Sequence, residues 1–445
     1  MGRRAGGGVT VTAGNALQQA LTRRPTNGPR WLERIRADAM EAFLATGVPT
    51  TAAEEWKYTD VSAICDMAFR DESTEAVRAE KLAPVTFPGL DAHRLTLLNG
   101  RYSPDLSSLG SLPDGTVLES LARTISDEPV GPLTRHADWQ NAPLVALNTA
   151  FLQDGAVLQV PAGVDIAEPV HLLHVAAASE GPVSVHPRTL IVVGAGARAS
   201  VIESHVGPRS DATYFSNPVT EIVLGAGATL EHIRIEREGN GGIHTGSVYV
   251  HQDRDSRLVS HSLSFGGRIA RIDLRVALDA PGAECDLNGL YLGVGDRHVD
   301  HHTNVEHQKP HTMSRQLYKG VLGDSSRAVF NGRVVVHEDA QKIQADQRNP
   351  NLLLSTGSSV NTKPELEIHA DDVRCTHGAT IGQLEPEAVH YLRSRGLDTQ
   401  TARRLLTFGF ASEMLQRIPH PLIRRRLGDY YFPGIFRGDD LEVWA

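Results

Sequence analysis

The sequence predicts a mainly β protein with a parallel β-helix (β-solenoid) core, flanked by N-terminal and C-terminal α-helical domains. Between residues 91 and 384, short β-branched runs alternate with corners rich in Gly, Asp, Asn and Pro. These corners recur at a nearly fixed offset, 31 residues from Gly194 to Gly225 and 30 residues from Gly293 to Gly323. A period of this size indicates stacked coils, each of which buries its inner face on its neighbours. A β-sandwich is the alternative for the same segments.

Residues 15–90 predict the N-terminal helical domain. Trp31, Ile35 and Phe43 recur at helical spacing before a glycine and a proline that end the helix. Residues 1–14 are basic and glycine-rich, without the apolar stretch of a secretory signal. We expect this start to be disordered.

Residues 385–445 predict the C-terminal helical domain. A first helix should stop at Gly396, and either Asp398 or Thr399 should cap a second helix that runs to Ile418. The apolar residues of the second helix cover more than one stripe. One side can therefore pack on the chain itself while another faces a partner.

Composition limits the possible partners and compartments. The net charge of −9 over 445 residues argues against nucleic acid as the main partner, because phosphate binding requires a basic face. Cys65, Cys285 and Cys375 are too few for a disulfide framework and fit a reducing cytoplasm. No apolar run reaches the roughly 18 residues that a membrane span requires. The sequence therefore predicts a cytoplasmic protein that binds neither nucleic acid nor membranes.

The motifs of several enzyme classes are missing from the sequence. No stretch has the form Gly-x-x-x-x-Gly-Lys-Ser/Thr, so we expect no ATP-hydrolysing site and no enzymatic activity. Gly194-Ala195-Gly196 lacks the third glycine of a dinucleotide fingerprint and leads into a strand, which indicates a solenoid corner. A carbohydrate-active β-helix enzyme is the enzymatic alternative, and it would use carboxylates near Asp300 and Glu306.

The densest group of candidate metal ligands lies within one short segment and comprises His298, Asp300, His302, His307 and His311. Imidazole and carboxylate groups are common ligands of zinc and iron. Residues two apart share one face of a strand, so Asp300 should project beside both His298 and His302. The alternative is a set of surface histidines that hydrogen-bond to turns.

A second candidate pair is Cys375 and His377. In a strand, both side chains point to the same side and their Cα atoms lie about 6.6 Å apart. A thiolate beside an imidazole can bind iron or receive sulfur. Two ligands do not complete a site, so further ligands must come from elsewhere in the chain or from another chain. The alternative is a buried cysteine beside a histidine that only packs.

Six stretches have the pattern of a known family: Glu306–His311, Ala328–Gly332, Asn351–Ser355, Val373–Gly382, His390–Gly396 and Ala402–Leu406. On these stretches the sequence resembles the SufB/SufD family of iron–sulfur cluster assembly scaffolds over nearly its whole length. The resemblance implies a β-helix core with helical domains at both ends. It also implies a scaffold function rather than catalysis.

Three features resemble the D-type member of the family rather than the B-type. Glu55–Thr59 has the D-type pattern near the N-terminus, and Gly378 follows His377 where the B-type usually has glutamate. The B-type also carries an essential cysteine in the preceding coil, whereas residues 340–360 contain none.

The resemblance implies a complex of one SufB-like scaffold subunit, one D-type subunit and two copies of the SufC-like ABC-type ATPase. A cysteine desulfurase would act indirectly, by supplying sulfur to the B-type subunit. A transient iron–sulfur cluster or iron would form at the interface of the two scaffold subunits, without tight binding to the isolated chain. Reduced flavin is a further candidate cofactor of the whole complex. A homodimer is the alternative assembly of the isolated chain.

The family's functional D-type histidine matches His377, with Cys375 beside it. The C-terminal helices match the family's docking surface for the ATPase, for which the candidate residues are Leu405, Leu406, Phe408, Phe410, Met414 and Leu415. A purely structural partner without cluster ligands is the remaining alternative, in which His377 would only pack.

Overall fold

A computed structural model describes residues 15–70, 77, 82, 86–126, 128–178, 181–207 and 212–435. Residues 1–14, for which the sequence predicts disorder, lie outside the described residues. The protein is mainly β, with a solenoid of about eight turns and helices towards both termini, which confirms the predicted fold class. No helix in the described part of the chain is both long and apolar enough to span a membrane.

Two sheets form the walls of the solenoid. The strands of the first sheet are β1 (His93–Leu98), β2 (Arg101–Tyr102), β5 (Val170–Val175), β8 (Arg198–Val206), β11 (Thr229–Arg237), β13 (Arg257–Ser264), β15 (Glu284–Gly293), β17 (Met313–Leu322), β19 (Ile343–Leu353) and β21 (Val373–Gly382). Those of the second sheet are β3 (Val117–Ser120), β4 (Gly155–Val160), β6 (Val183–Val185), β7 (Arg188–Val193), β9 (Thr213–Ser216), β10 (Val219–Leu224), β12 (Gly241–Gln252), β14 (Ile269–Leu278), β16 (His298–His307), β18 (Arg327–Val336) and β20 (Ser359–Ile368). Apart from β1 with β2 and β3 with β4, every strand pairing of these two sheets is parallel, and the chain passes back and forth between the sheets as it forms successive coils.

Consecutive coils stack in register, which explains the period in the sequence. Ile272, His301 and Phe330 are direct neighbours across β14, β16 and β18, and their numbers differ by 29 at each step. The corners stack as well, because the Gly196 amide donates to the Ala226 carbonyl of the next coil at 2.8 Å. Gly196 has a φ of 67°, a conformation that glycine adopts without strain.

The N-terminal helices cover the outer face of the second sheet. They are α1 (Asn15–Leu21), α2 (Arg30–Thr46), α3 (Leu121–Thr124) and α4 (Pro143–Ala150). Phe43 of α2 and Leu147 of α4 pack against Phe215 and Ile243 of the sheet. Two of these helices, α3 and α4, lie within the predicted β region, because the chain leaves the solenoid there to cover its outer surface.

Three helices follow the solenoid, and the last two cover the outer face of the first sheet. The three helices are α5 (Pro386–Ser394), α6 (Thr399–Gln416) and α7 (Pro421–Ile435). Asp398 caps α6 by accepting hydrogen bonds from the amides of Gln400 and Thr401, at 2.8 and 3.0 Å. A capping side chain of this kind typically contributes about 1 kcal/mol to stability.

Candidate functional site

The two ends of the solenoid differ. At the N-terminal end, the short strands β2 and β3 close the sheets by antiparallel pairing. At the C-terminal end, β20 pairs with β18 and β21 pairs with β19, and the sheet order in the described residues stops there. Neither β20 nor β21 contains a buried residue, whereas β18 and β19 are buried at most alternate positions. The last coil therefore exposes both its strand edges and its inner side chains.

Cys375 and His377 lie on this open coil, on the inward-facing side of β21. Their register partners on β19 are Ala345 and Gln347. Cys375 is half-buried against an apolar cluster that includes Ala345, and burial raises the pKa of its thiol, although a backbone hydrogen bond from Ala345 opposes the shift. His377 is exposed. Among the described residues, no third His, Cys, Asp or Glu completes a three-ligand group with these two.

The open coil exposes both apolar and charged residues. Ile368 on β20 and Ile381 on β21 are 40% and 51% exposed, unlike the buried side chains of earlier coils. Charged pairs lie on or beside the same coil: Lys363 Nζ lies 2.9 Å from Glu365 Oε1 on β20, and Lys342 pairs with Asp372. Such exposed pairs add little stability, but charges along a strand edge discourage indiscriminate pairing.

The six candidate docking residues on α6 differ in how deeply they are buried. Met414 and Leu415 are buried against the outer face of the first sheet, where Leu290 and Leu292 belong to the same cluster. Phe408 and Phe410 are half-buried against that cluster. Leu405 and Leu406 are half-buried and belong to none of the apolar clusters found in the described residues. These two leucines are therefore the members of the set that a partner could contact most readily.

The five candidate metal ligands between His298 and His311 do not form one group. His298, Asp300 and His302 project outwards from β16, whereas the two nitrogens of inward-facing His307 lie 2.7 Å from Thr312 Oγ1 and 2.9 Å from Ser314 Oγ. His311 is exposed in a turn. Asp300 instead joins an ion-pair network, in which its carboxylate lies 2.8 Å from Arg271 Nη1 and 3.0 Å from His302 Nε2.

The electrostatics of this network favour an imidazolium over a metal ligand. Burial alone would lower the pKa of His302, but the Asp300 carboxylate raises it to about 9. Burial alone would raise the pKa of Asp300, but His302 and Arg271 hold it below its usual range. A protonated histidine has no lone pair for a metal, so His302 and Asp300 stabilise each other instead.

The stretch Glu55–Thr59 closes over this network and has a structural role. The ring of Trp56 lies 3.9 Å from the Arg271 guanidinium, and that guanidinium donates to the Glu55 carbonyl at 2.6 Å. The Thr59 hydroxyl donates to Asp300 at 2.5 Å. We call this contact the N-terminal clamp: Glu55, Trp56 and Thr59 on one side, with Arg271, Asp300 and His302 on the other.

Sequence reasoning missed a polar group inside the solenoid. His174, Glu203, His205, His232, Arg234, Glu236, Glu238 and His244 are all buried. Many of them occupy alternate positions on their strands, such as Glu203 with His205 on β8. This alternation is the feature of the sequence that could have indicated the polar group. It shows that the residues share one face of a strand, but not whether that face points into the solenoid.

Comparisons with known proteins identify similar sequences. A family model described as "SUF system FeS cluster assembly, SufBD core domain" matches residues 174–410, and a "SufBD protein N-terminal region" model matches residues 18–172. An iron–sulfur cluster assembly SufBD family protein of Synechocystis is 34% identical, covering 88% of both chains. Iron–sulfur cluster assembly protein SufD of Escherichia coli is 33% identical, covering 85% of this chain and 87% of the relative. The chloroplastic protein ABCI7 of Arabidopsis thaliana is 30% identical, covering 92% and 87%.

We expect the His302–Asp300 ion pair to stabilise the folded protein less as pH rises. The pKa of His302 in the folded protein is about 9, against roughly 6.5 for a histidine in the unfolded chain, so its contribution is complete below pH 6.5 and is lost as pH rises towards 9. The free energy of unfolding, measured by chemical denaturation at pH 6 and at pH 9.5, should report this loss.

Two variants test whether His302 causes this pH dependence. His302→Gln should remove most of this pH dependence. His307→Gln should preserve it, because burial lowers the pKa of His307 to about 4 and keeps that ring neutral across the range. An unchanged pH dependence in His302→Gln would contradict the imidazolium assignment.

Proposed function

The chain belongs to the SufBD family of iron–sulfur cluster assembly proteins, and from this premise we propose that it is the D-type (SufD) scaffold subunit. In this role it lends ligands to a nascent cluster at its interface with a SufB-type subunit and docks a SufC-type ATPase. Family membership supports the general role in cluster assembly. The observation that carries the finer proposal is the open coil of β20 and β21, which presents Cys375 and His377 at an unpaired end of the solenoid.

The open coil suits a second solenoid as its partner. Unpaired strand edges can pair with another sheet, and each sheet of this chain offers one such edge at the same end. A SufB-type subunit of the same family would present coils of matching spacing. Ile368 and Ile381 would then become the apolar part of the interface, one on each sheet.

Iron or a cluster would be cargo held at this interface. Cys375 supplies a sulfur donor and His377 an imidazole, and this pair suits iron. Because burial raises the pKa of the Cys375 thiol, its proton must leave when the metal binds. The two donors are too few for a stable site, so the remaining ligands come from the partner and the cargo binds transiently. Reduced flavin would serve the whole complex, and we assign no residue of this chain to it.

The C-terminal helices connect the ATPase to the solenoid. Helix α6 is fastened to β17, because Lys319 Nζ donates to the Phe410 carbonyl at 3.0 Å and to Glu413 at 2.5 Å. Arg403 also donates to the Leu354 carbonyl, at 3.1 Å, in the corner before the last coil. An ATPase that closes while bound to α6 would therefore pull on the walls beside the open end. In this proposal ATP hydrolysis belongs to the partner, and the chain acts in the cytoplasm without enzymatic activity of its own.

The ligand role predicts a loss of cluster assembly without a loss of fold. His377→Ala should lower cluster formation several-fold and leave association with the SufB-type subunit intact, because the side chain is exposed. Cys375→Ser should have a smaller effect, because a thiolate of the partner can dominate sulfur handling. The measurement is acid-labile sulfide per reconstituted complex under anaerobic conditions. Wild-type sulfide in His377→Ala would mean that the histidine only packs and that the subunit is structural.

The interface proposal predicts that charge at the open coil prevents association. Ile368→Asp and Ile381→Asp should each weaken binding to the SufB-type subunit by at least 10-fold, because a buried unpaired carboxylate opposes the contact. Folding should change little, since both side chains are substantially exposed. The matched control is Val117→Asp, an exposed apolar residue on β3 at the opposite end. Titration by analytical ultracentrifugation gives the affinities. If Val117→Asp weakened binding as much as Ile368→Asp and Ile381→Asp do, the interface would not lie at the open coil.

The docking proposal predicts that Leu405 and Leu406 are needed for ATPase binding. The pair Leu405→Asp and Leu406→Asp should abolish co-purification of the SufC-type subunit while the β core and SufB binding remain. The control is Leu44→Asp, since Leu44 is 60% exposed on α2 and lies on the other face of the solenoid. Full ATPase binding by the double variant would show that the docking surface lies elsewhere.

A further inference from the structure

We propose that the interior of the solenoid contains a binding site for one divalent transition-metal ion, formed by His174, Glu203 and His205. These residues occupy inward positions on the neighbouring strands β5 and β8, where His174 is the register partner of His205. The side chains are 6%, 0% and 1% exposed. The site is separate from the open coil that carries Cys375 and His377.

The distances between the three donor atoms fit a common ion. Glu203 Oε1 lies 3.1 Å from His205 Nε2 and 3.7 Å from His174 Nε2, and one donor atom from each residue falls within 4.8 Å of the others. Ligands bound at about 2.1 Å around a tetrahedral ion lie about 3.4 Å apart. The two imidazole rings are stacked, with centroids 4.5 Å apart and planes at 18°.

Unpaired ring nitrogens in the described part of the protein indicate a site that can bind a ligand. Both ring nitrogens of His174 are buried without a hydrogen-bond partner in the described part of the protein, and so is Nδ1 of His205. Buried polar atoms are nearly always paired, so an unpaired imidazole beside a buried carboxylate requires an explanation. The hydrogen bond from His205 to Glu203 leaves His174 without a hydrogen-bond partner among the described residues, whereas an ion shared through the two Nε2 atoms would give His174 a contact.

The charges around the site favour a cation. The buried group holds three carboxylates, Glu203, Glu236 and Glu238, against the single guanidinium of Arg234. Carboxylates therefore outnumber the guanidinium in this group, and a bound cation would offset the excess.

A second trio, His205, Glu238 and His244, meets the same distance limit. Both nitrogens of His244 are already engaged, Nε2 lying 2.5 Å from Arg234 Nη2 and Nδ1 lying 3.1 Å from Glu238 Oε1. Both ring nitrogens of His174 lack such contacts among the described residues, and the structure therefore favours the trio that contains it. Two imidazoles and one carboxylate suit zinc or ferrous iron.

The experiment measures metal retained by the full-length chain. Cells are grown in minimal medium with zinc chloride or ferrous sulfate as the one added transition metal, and the protein is purified anaerobically in EDTA. Because the site is closed, the wild type should retain about one equivalent of zinc or of iron, and the two media distinguish the ions. The pair Cys375→Ser and His377→Ala should retain the same amount, since the open coil is accessible to the chelator.

Glu203→Gln and His174→Gln should each reduce the retained metal at least 10-fold. The matched control, His171→Gln, should retain it: His171 is equally buried on the same strand, faces outwards and lies 2.9 Å from Ser204 Oγ. If the variants fail to fold, X-ray absorption of the wild-type metal decides, with two imidazoles and only nitrogen or oxygen donors expected. A metal-free, folded wild type, retention by Glu203→Gln, or sulfur in the coordination shell would overturn the proposal.

Discussion

The whole architecture depends on one constraint: each coil must hydrogen-bond in register to the coil before it. Register fixes the coil length, and coil length fixes where the chain turns. A Cβ atom on Gly194 would lie 2.6 Å from the Ala162 amide nitrogen of the preceding coil, so the stacked corners require glycine there. Register also aligns side chains into columns, such as Gln316, Gln347 and His377 across β17, β19 and β21. The chemistry of the last coil is therefore positioned by all the coils beneath it.

That same constraint explains what could be predicted from the sequence. The repeat is a property of backbone stacking, so glycine spacing indicated the solenoid without knowledge of any contact. The cap of α6 was predictable for a similar reason, since Asp398 bonds to amides two and three residues away. Cys375 and His377 could be placed on one strand face because alternation is local. Their position on the last, open coil required the complete sheet order.

Long-range contacts account for what sequence reasoning could not resolve. His298, Asp300 and His302 have the spacing of metal ligands, but Thr59 and Glu55, more than 200 positions earlier, convert the region into an ion-pair network. Met414 and Leu415 resemble a docking stripe until the first sheet covers them. The same residue type thus has three environments: His377 is exposed, His302 is paired with a carboxylate, and His174 lies buried without a hydrogen-bond partner among the described residues. Burial and neighbours, rather than residue identity, decide what each histidine can do.

The unequal ends of the solenoid limit how many chains can join. A stack with two bare ends could add subunits at both and grow into a fibre, as open strand edges do in cross-β aggregates. Here the N-terminal end finishes in antiparallel strands of two and four residues, and short strands of this kind are poor templates for further pairing. Under the proposed interface, a second solenoid would add to the described coils at the other end. If short antiparallel strands also close the far end of the partner, assembly stops at two solenoids. The fold itself then limits the length of the assembly.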